Sequence, residues 1–97
     1  MQSNMETPAT IGFEHEEWIA DSITGTSSAA GSIALGIYAN SYDVTGANTT
    51  QLDGQNAMLC IPFTSNDGQW RINCRNLVTL NVVASTTITV NFLKRKK

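Results

Sequence analysis

Residues 57–75 read Ala57-Met58-Leu59-Cys60-Ile61-Pro62-Phe63-Thr64-Ser65-Asn66-Asp67-Gly68-Gln69-Trp70-Arg71-Ile72-Asn73-Cys74-Arg75. The middle of this stretch, Thr64 to Gln69, is a run of turn formers with Asp67-Gly68 near its centre. Both flanks alternate. Leu59, Ile61 and Phe63 share one face and Met58 and Cys60 the other, then Trp70, Ile72 and Cys74 alternate with Arg71, Asn73 and Arg75. Period two is the side-chain repeat of a strand, so the segment predicts a β-hairpin. Leu59, Ile61 and Phe63 are expected to face the core. Pro62 has no N–H to give to a ladder, so its strand is expected to lie at an edge or to end there. A hairpin symmetric about Asp67 sets Cys60 directly opposite Cys74. That thiol pair is read either as two reduced, buried cysteines or as a cross-strand disulfide, whose geometric demands are strict.

The same period appears on both sides of the hairpin. In Ser32–Tyr42, Ile33, Leu35, Ile37 and Ala39 fall on one face and Tyr38, Asn40 and Tyr42 on the other. Towards the C-terminus, Val78, Leu80, Val82 and Ala84 share a face, a turn is expected at 84–86, and Ile88, Val90 and Phe92 return. Trp18–Ile23 reads as a further strand ending near Gly25, and 43–56 as a long polar loop. No helix-length periodic segment is present to cross over a parallel sheet. The pattern predicts an all-β protein, an antiparallel β-sandwich or small barrel of about six strands. An extended N-terminal arm (1–17) precedes the sandwich (18–93), and a basic tail (94–97) follows it.

With 97 residues the chain is one domain's worth, which excludes large enzyme folds such as the (β/α)₈ barrel. Charged residues are only 14%, and small polar side chains take their place. The charges that exist are segregated: all 8 acids lie between Glu6 and Asp67 and all 6 bases between Arg71 and Lys97. Such asymmetry points to electrostatic pairing, here between the acidic arm and the basic tail, within a chain or between copies. No apolar run is long enough for a membrane helix. Met1-Gln2-Ser3-Asn4-Met5-Glu6 has neither a basic n-region nor an apolar h-region, so no signal peptide is expected.

Signs of chemistry are sparse. His15 is the one histidine, and its neighbours Glu14, Glu16 and Glu17 would point in different directions in an extended arm, which argues against a metal site. Two cysteines and a distant histidine do not make four zinc ligands. No P-loop, dinucleotide-binding glycine pattern or nucleophile elbow occurs. Asp21, Asp43, Asp53 and Asp67 sit near strand ends or loops, where aspartate usually serves turns. No catalytic residue, metal or cofactor is therefore expected. The candidates for partner binding are Glu14, His15, Glu16, Glu17, Trp18, Tyr38, Tyr42, Lys94, Arg95, Lys96 and Lys97. Aromatic residues Trp18, Tyr38 and Tyr42, together with loop 43–56, could alternatively form a glycan-binding surface. A nucleic-acid module would carry a basic face on its folded body, where only Arg71 and Arg75 are available.

A short arm, a Thr/Asn/Ser/Gly-rich all-β body and the closing alternation Thr87-Ile88-Thr89-Val90-Asn91-Phe92-Leu93 together resemble small capsid decoration (cement) proteins and minor virion proteins of tailed bacteriophages. The resemblance covers the whole chain and rests on texture rather than a motif. It implies a non-enzymatic protein at the capsid surface of a virion. Such a protein binds the capsid protein and copies of itself, often as trimers, and ties neighbouring shell subunits together.

Overall fold

The computed structural model describes residues 17–97. The chain is all-β, an antiparallel sandwich of seven strands: β1 (Ile19–Thr26), β2 (Ser32–Tyr38), β3 (Tyr42–Asn48), β4 (Leu52–Asp53), β5 (Asn56–Thr64), β6 (Gln69–Asn76) and β7 (Thr87–Lys96). One sheet has the order β1-β7-β3 and the other β2-β6-β5-β4. The expected arm lies outside the described residues except for Glu17.

The hairpin that decided the fold forms as its symmetry requires. Strands β5 and β6 pair from Met58↔Asn76 to Thr64↔Trp70, with Cys60 opposite Cys74. Asp67 fixes the turn: its carboxylate accepts from the Ser65 hydroxyl and, at 3.0 Å, from the Gln69 amide. Strand β4 pairs with β5 only at Ala57 and Asn56, so β5 is an edge from Met58 onward. The backbone groups of Cys74 bond to Gly31 O and Val83 N, away from β5. By alternation Cys60 and Pro62 direct theirs away from β6, towards the open edge. Pro62 thus sits where a missing donor costs the sheet nothing and discourages strand addition.

Between the sheets lie Ile33, Leu35, Val44, Met58, Ile72, Cys74, Val83, Ile88, Val90 and Phe92, with Ile23, Ile37, Ala47, Cys60 and Trp70 packed around them. The indole N–H of Trp70 donates to Tyr42 O at 2.8 Å and ties the sheets together at one end. In β7 the alternation is strict: Ile88, Val90 and Phe92 are buried and Thr87, Thr89 and Asn91 exposed.

The structure corrects four expectations. Strand β5 turns the other way, with Met58 inside and Ile61 and Phe63 exposed; Cys74 and Ile72 fill the inner side of the hairpin. Residues 78–84 form no strand. Asn76 Oδ1 accepts from the amides of Val78 (2.9 Å) and Thr79 (3.0 Å), and Asn76 O accepts from Leu80 N. This local side-chain turn reverses the chain at the end of β6. The returning segment meets β6 through Asn81 O, which accepts from Asn76 N, through Val82 opposite Arg75, and through Val83 N, which donates to Cys74 O. Val83 is the residue it buries, leaving Val78, Leu80 and Val82 outside. The loop expected over 43–56 holds β3 and β4, because pairing of β3 with β7 and of β4 with β5 stabilises segments whose composition reads as coil. The tail is strand too: β7 continues through Lys96, opposite Tyr42 and Asp43.

Gly31 is the one glycine the packing demands. Its φ is +80°, and an added Cβ would lie 2.9 Å from Cys74 O and 3.0 Å from Val82 Cβ, where β2, β6 and the 77–86 loop converge.

Candidate functional site

The basic end of the chain enters the sandwich rather than reaching out from it. Since Ile88, Val90 and Phe92 point inward, Lys94 follows them and Arg95 faces out. Lys94 Nζ lies 2.9 Å from Asp21 Oδ2 and 5.6 Å from the centre of the Tyr42 ring. On the outer side Arg95 Nη2 lies 2.9 Å from Asp43 Oδ2, its guanidinium 4.5 Å from the Trp18 ring centre, and Lys97 Nζ 3.8 Å from Asp43 Oδ1. Arg95 and Asp43 are direct cross-strand partners, so pairing and ladder reinforce each other. The hydrogen bond from Lys94, then that from the Ser22 amide, holds the Asp21 carboxyl below its ordinary value. For Asp43 the hydrogen bond from Arg95 has the largest share, opposed by desolvation and aided by Lys97. Among the described residues the tail pairs with Asp21 and Asp43 of the body; the expected arm partners Glu14 and Glu16 lie outside the described residues.

The named aromatics do not form one stacking surface. Tyr38 ends β2 in one sheet and Tyr42 begins β3 in the other, across the turn at 39–41. Trp18 and Tyr42 each carry a cation over the ring. Glu14, His15 and Glu16 lie outside the described residues. Of the four aspartates expected to serve turns, Asp67 holds one; Asp53 accepts from Asn76 Nδ2 at 2.9 Å, and Asp21 and Asp43 lie in strands and pair with β7. Among the described residues no group of three potential metal ligands exists, and no helix is long and apolar enough to cross a membrane.

The outer faces of the two sheets differ in chemistry. On the three-stranded sheet the outward side chains form cross-strand hydroxyl and amide pairs, Thr24–Thr89 at 2.6 Å, Thr26–Thr87 at 3.2 Å and Asn48–Asn91 at 3.4 Å. The outward face of the four-stranded sheet is apolar along β5. Leu59, Ile61 and Phe63 run in a row, opposite Arg75, Asn73 and Arg71 of β6. Ala57 continues the row to Leu52 of β4, which is 59% exposed. At the far side stand Leu77, Val78, Leu80 and Val82, between 36% and 70% exposed. Leu80 is held there with φ +63°, a left-handed backbone that a leucine adopts only when its surroundings impose it. Arg75 contributes to that hold by donating to Leu80 O at 2.9 Å.

This face is the candidate site. No match to the chain is found among family models, characterised proteins or solved structures. Its chemistry must be read from the residues themselves. Arg75 Nε donates to Asn73 Oδ1 at 2.8 Å, and Arg71 Nη2 to Gln69 Oε1 at 3.5 Å. Among the described residues these acceptors are neutral, so the face carries two guanidinium groups amid apolar side chains, Arg71 within electrostatic reach of the Asp67 carboxylate. Exposed apolar patches of this kind mark interaction sites. The reading of the sequence missed this one because a strand that is apolar on both faces offers no rule for choosing the inner one.

Proposed function

We propose that the protein is a non-enzymatic structural protein that docks on an assembled shell, as capsid decoration proteins of virions do. The outward row Leu59, Ile61 and Phe63, with Leu80 and Val82 across Arg75 from it, is the docking face. The occupant it fits is a protein surface combining apolar side chains with carboxylates. The observation that carries this reading is the double-sided apolar character of β5. A half-solvated antiparallel strand normally alternates apolar and polar residues, as β7 does, and the departure in β5 falls on one exposed face. The diffuse likeness to phage decoration proteins supports the same reading. Individually weak contacts of this size become strong when repeated over a lattice.

The proposal requires a major capsid protein in the source genome, and the test is co-sedimentation with shells assembled from that protein. The parent should pellet with the shells, and the double variant Ile61→Lys, Phe63→Lys should stay in the supernatant with its β circular-dichroism signal unchanged. Undiminished pelleting of the double variant, or no pelleting of the parent, would overturn the proposal.

A further inference from the structure

Cys60 and Cys74 face each other across the β5–β6 ladder. Both backbone groups of Cys74 bond on the opposite side, to Gly31 O and Val83 N at 2.8 and 2.9 Å. The two cysteines are therefore a non-hydrogen-bonded pair, the ladder position where Cα atoms approach to about 4.5 Å and side chains are closest. That separation falls within the roughly 4.4–6.8 Å that a disulfide spans. Both are free thiols. Their exposures differ: Cys74 is 0% exposed, while Cys60 is only half-buried, on the strand whose far edge is open.

We propose that Cys60 and Cys74 form a reversible dithiol–disulfide site whose oxidant is a small-molecule disulfide such as oxidised glutathione. Cys60, as thiolate, attacks one sulfur of the glutathione disulfide. The glutathione S–S bond breaks, a mixed disulfide forms on Cys60, and the departing glutathione thiolate takes up a proton. Cys74 Sγ then attacks Cys60 Sγ, releasing the second glutathione, to which the Cys74 proton passes. Two protein thiols are oxidised to one disulfide, and one glutathione disulfide is reduced to two thiols. Reduced glutathione reverses both steps. The division of labour follows from geometry, because only Cys60 is open to the first encounter. Hydrogen bonding fits it: the bond from Cys74 draws the Cys60 thiol down despite its partial burial, while the same bond and desolvation push Cys74 up. The resulting link would fasten β5 to β6, the two strands that carry the docking row and its arginines.

The experiment equilibrates the folded chain with oxidised glutathione, quenches in acid, and counts alkylatable thiols after denaturation by intact mass. The expected result is a monomer that has lost two hydrogens, binds no alkylating agent, and recovers both thiols with excess reduced glutathione. In Cys74→Ala the glutathione adduct on Cys60 should persist, and in Cys60→Ala the folded chain should acquire none. If Cys74→Ala does not fold, Cys74→Ser serves the same comparison. Two alkylatable thiols remaining in the oxidised parent, a persistent glutathione adduct on it, or a covalent dimer as the main product would overturn the proposal.

Discussion

Asn76 is where the fold and the docking face meet, and replacing it by alanine gives the most exacting test of the structure. Its side chain is 6% exposed. Oδ1 accepts from Val78 N at 2.9 Å, Thr79 N at 3.0 Å and Asn56 Nδ2 at 3.3 Å, and Nδ2 donates to Asp53 Oδ2 at 2.9 Å. The bond to the Asp53 carboxylate contributes about 1.5–3 kcal/mol and each neutral bond about 0.5–1.5 kcal/mol. Water can replace part of this at the rim, so Asn76→Ala should lose about 3 kcal/mol in all. For a domain of this size that lowers Tm by roughly 12–24 °C. Urea unfolding followed by tryptophan fluorescence and by circular dichroism measures it. The near-isosteric Asn76→Asp separates the turn from the pair. It keeps an acceptor for the Val78 and Thr79 amides but sets a second carboxylate against Asp53. That pair would share a proton, with one folded pKa raised above the unfolded value. Stability is then greatest below the unfolded carboxylate pKa of about 4 and is lost as pH rises through the raised one. Asn76→Asp should therefore trail the parent most at neutral pH and least in acid. A loss below about 1 kcal/mol for Asn76→Ala would refute the hub reading, that being an ordinary single-site effect. So would an Asn76→Asp deficit that does not shrink in acid.

Three further outcomes follow from the burial and the ion pairs. Ile72→Ala, at a residue 0% exposed, should cost about 2–5 kcal/mol. Ile61→Ala should stay within about 1 kcal/mol of the parent, Ile61 being 42% exposed; equal losses in urea unfolding would return β5 to the opposite orientation. Gly31→Ala should destabilise by about 2 kcal/mol or more, from the left-handed backbone and the contact with Cys74 O, and an unchanged urea midpoint would contradict that crowding. Asp21 and Asp43 have depressed carboxyl pKa values, so their stabilisation is complete above the unfolded value of 3.8 and is lost as pH falls through the lower folded values. Parent Tm should fall below about pH 4, and Asp43→Asn should flatten that acid limb at low ionic strength. An acid limb as steep in the variant as in the parent would remove Asp43 from the account.

How much of this could be read in the sequence depended on whether a segment had one apolar face or two. In β2, Ile33, Leu35 and Ile37 face only polar or small residues on the other side, and the inward face was plain. The same holds for Ile88, Val90 and Phe92 in β7. In β5 both candidate faces are apolar, Met58 and Cys60 against Leu59, Ile61 and Phe63, and a change of one residue in phase exchanges them. What settles it is the opposite strand: Ile72 and Cys74 must go inward because Arg71, Asn73 and Arg75 cannot, and the register carries Cys60 inward with Cys74. The 77–84 segment failed for another reason. Its alternation is real, but Asn76 supplies side-chain bonds to the next amides and turns the chain before a ladder can start. In β3 the deciding partner, β7, is far away in sequence, and local composition could not report it.

The segregated charges gain a different meaning once the sheets are placed. Within the described residues, Lys94, Arg95 and Lys97 find Asp21 and Asp43 on neighbouring strands. Strand pairing already fixes the backbones that bring these groups together, so little further ordering is needed. Of the other three bases, Arg71 and Arg75 stand on the apolar face and donate to neutral acceptors. A carboxylate arriving with a partner would replace those weaker bonds with bidentate, charge-assisted ones in a setting already partly dry. The apolar row around them, on the order of the few hundred Å² typical of a functional patch, supplies the area, and the arginines supply register and choice of partner. On the outer face of β1, β7 and β3 hydroxyl and amide pairs take the place of such a row, and its arginine, Arg95, is already paired with Asp43. A copy bound through the four-stranded sheet would thus leave that polar face turned to solvent, which is the orientation a protein decorating a shell requires.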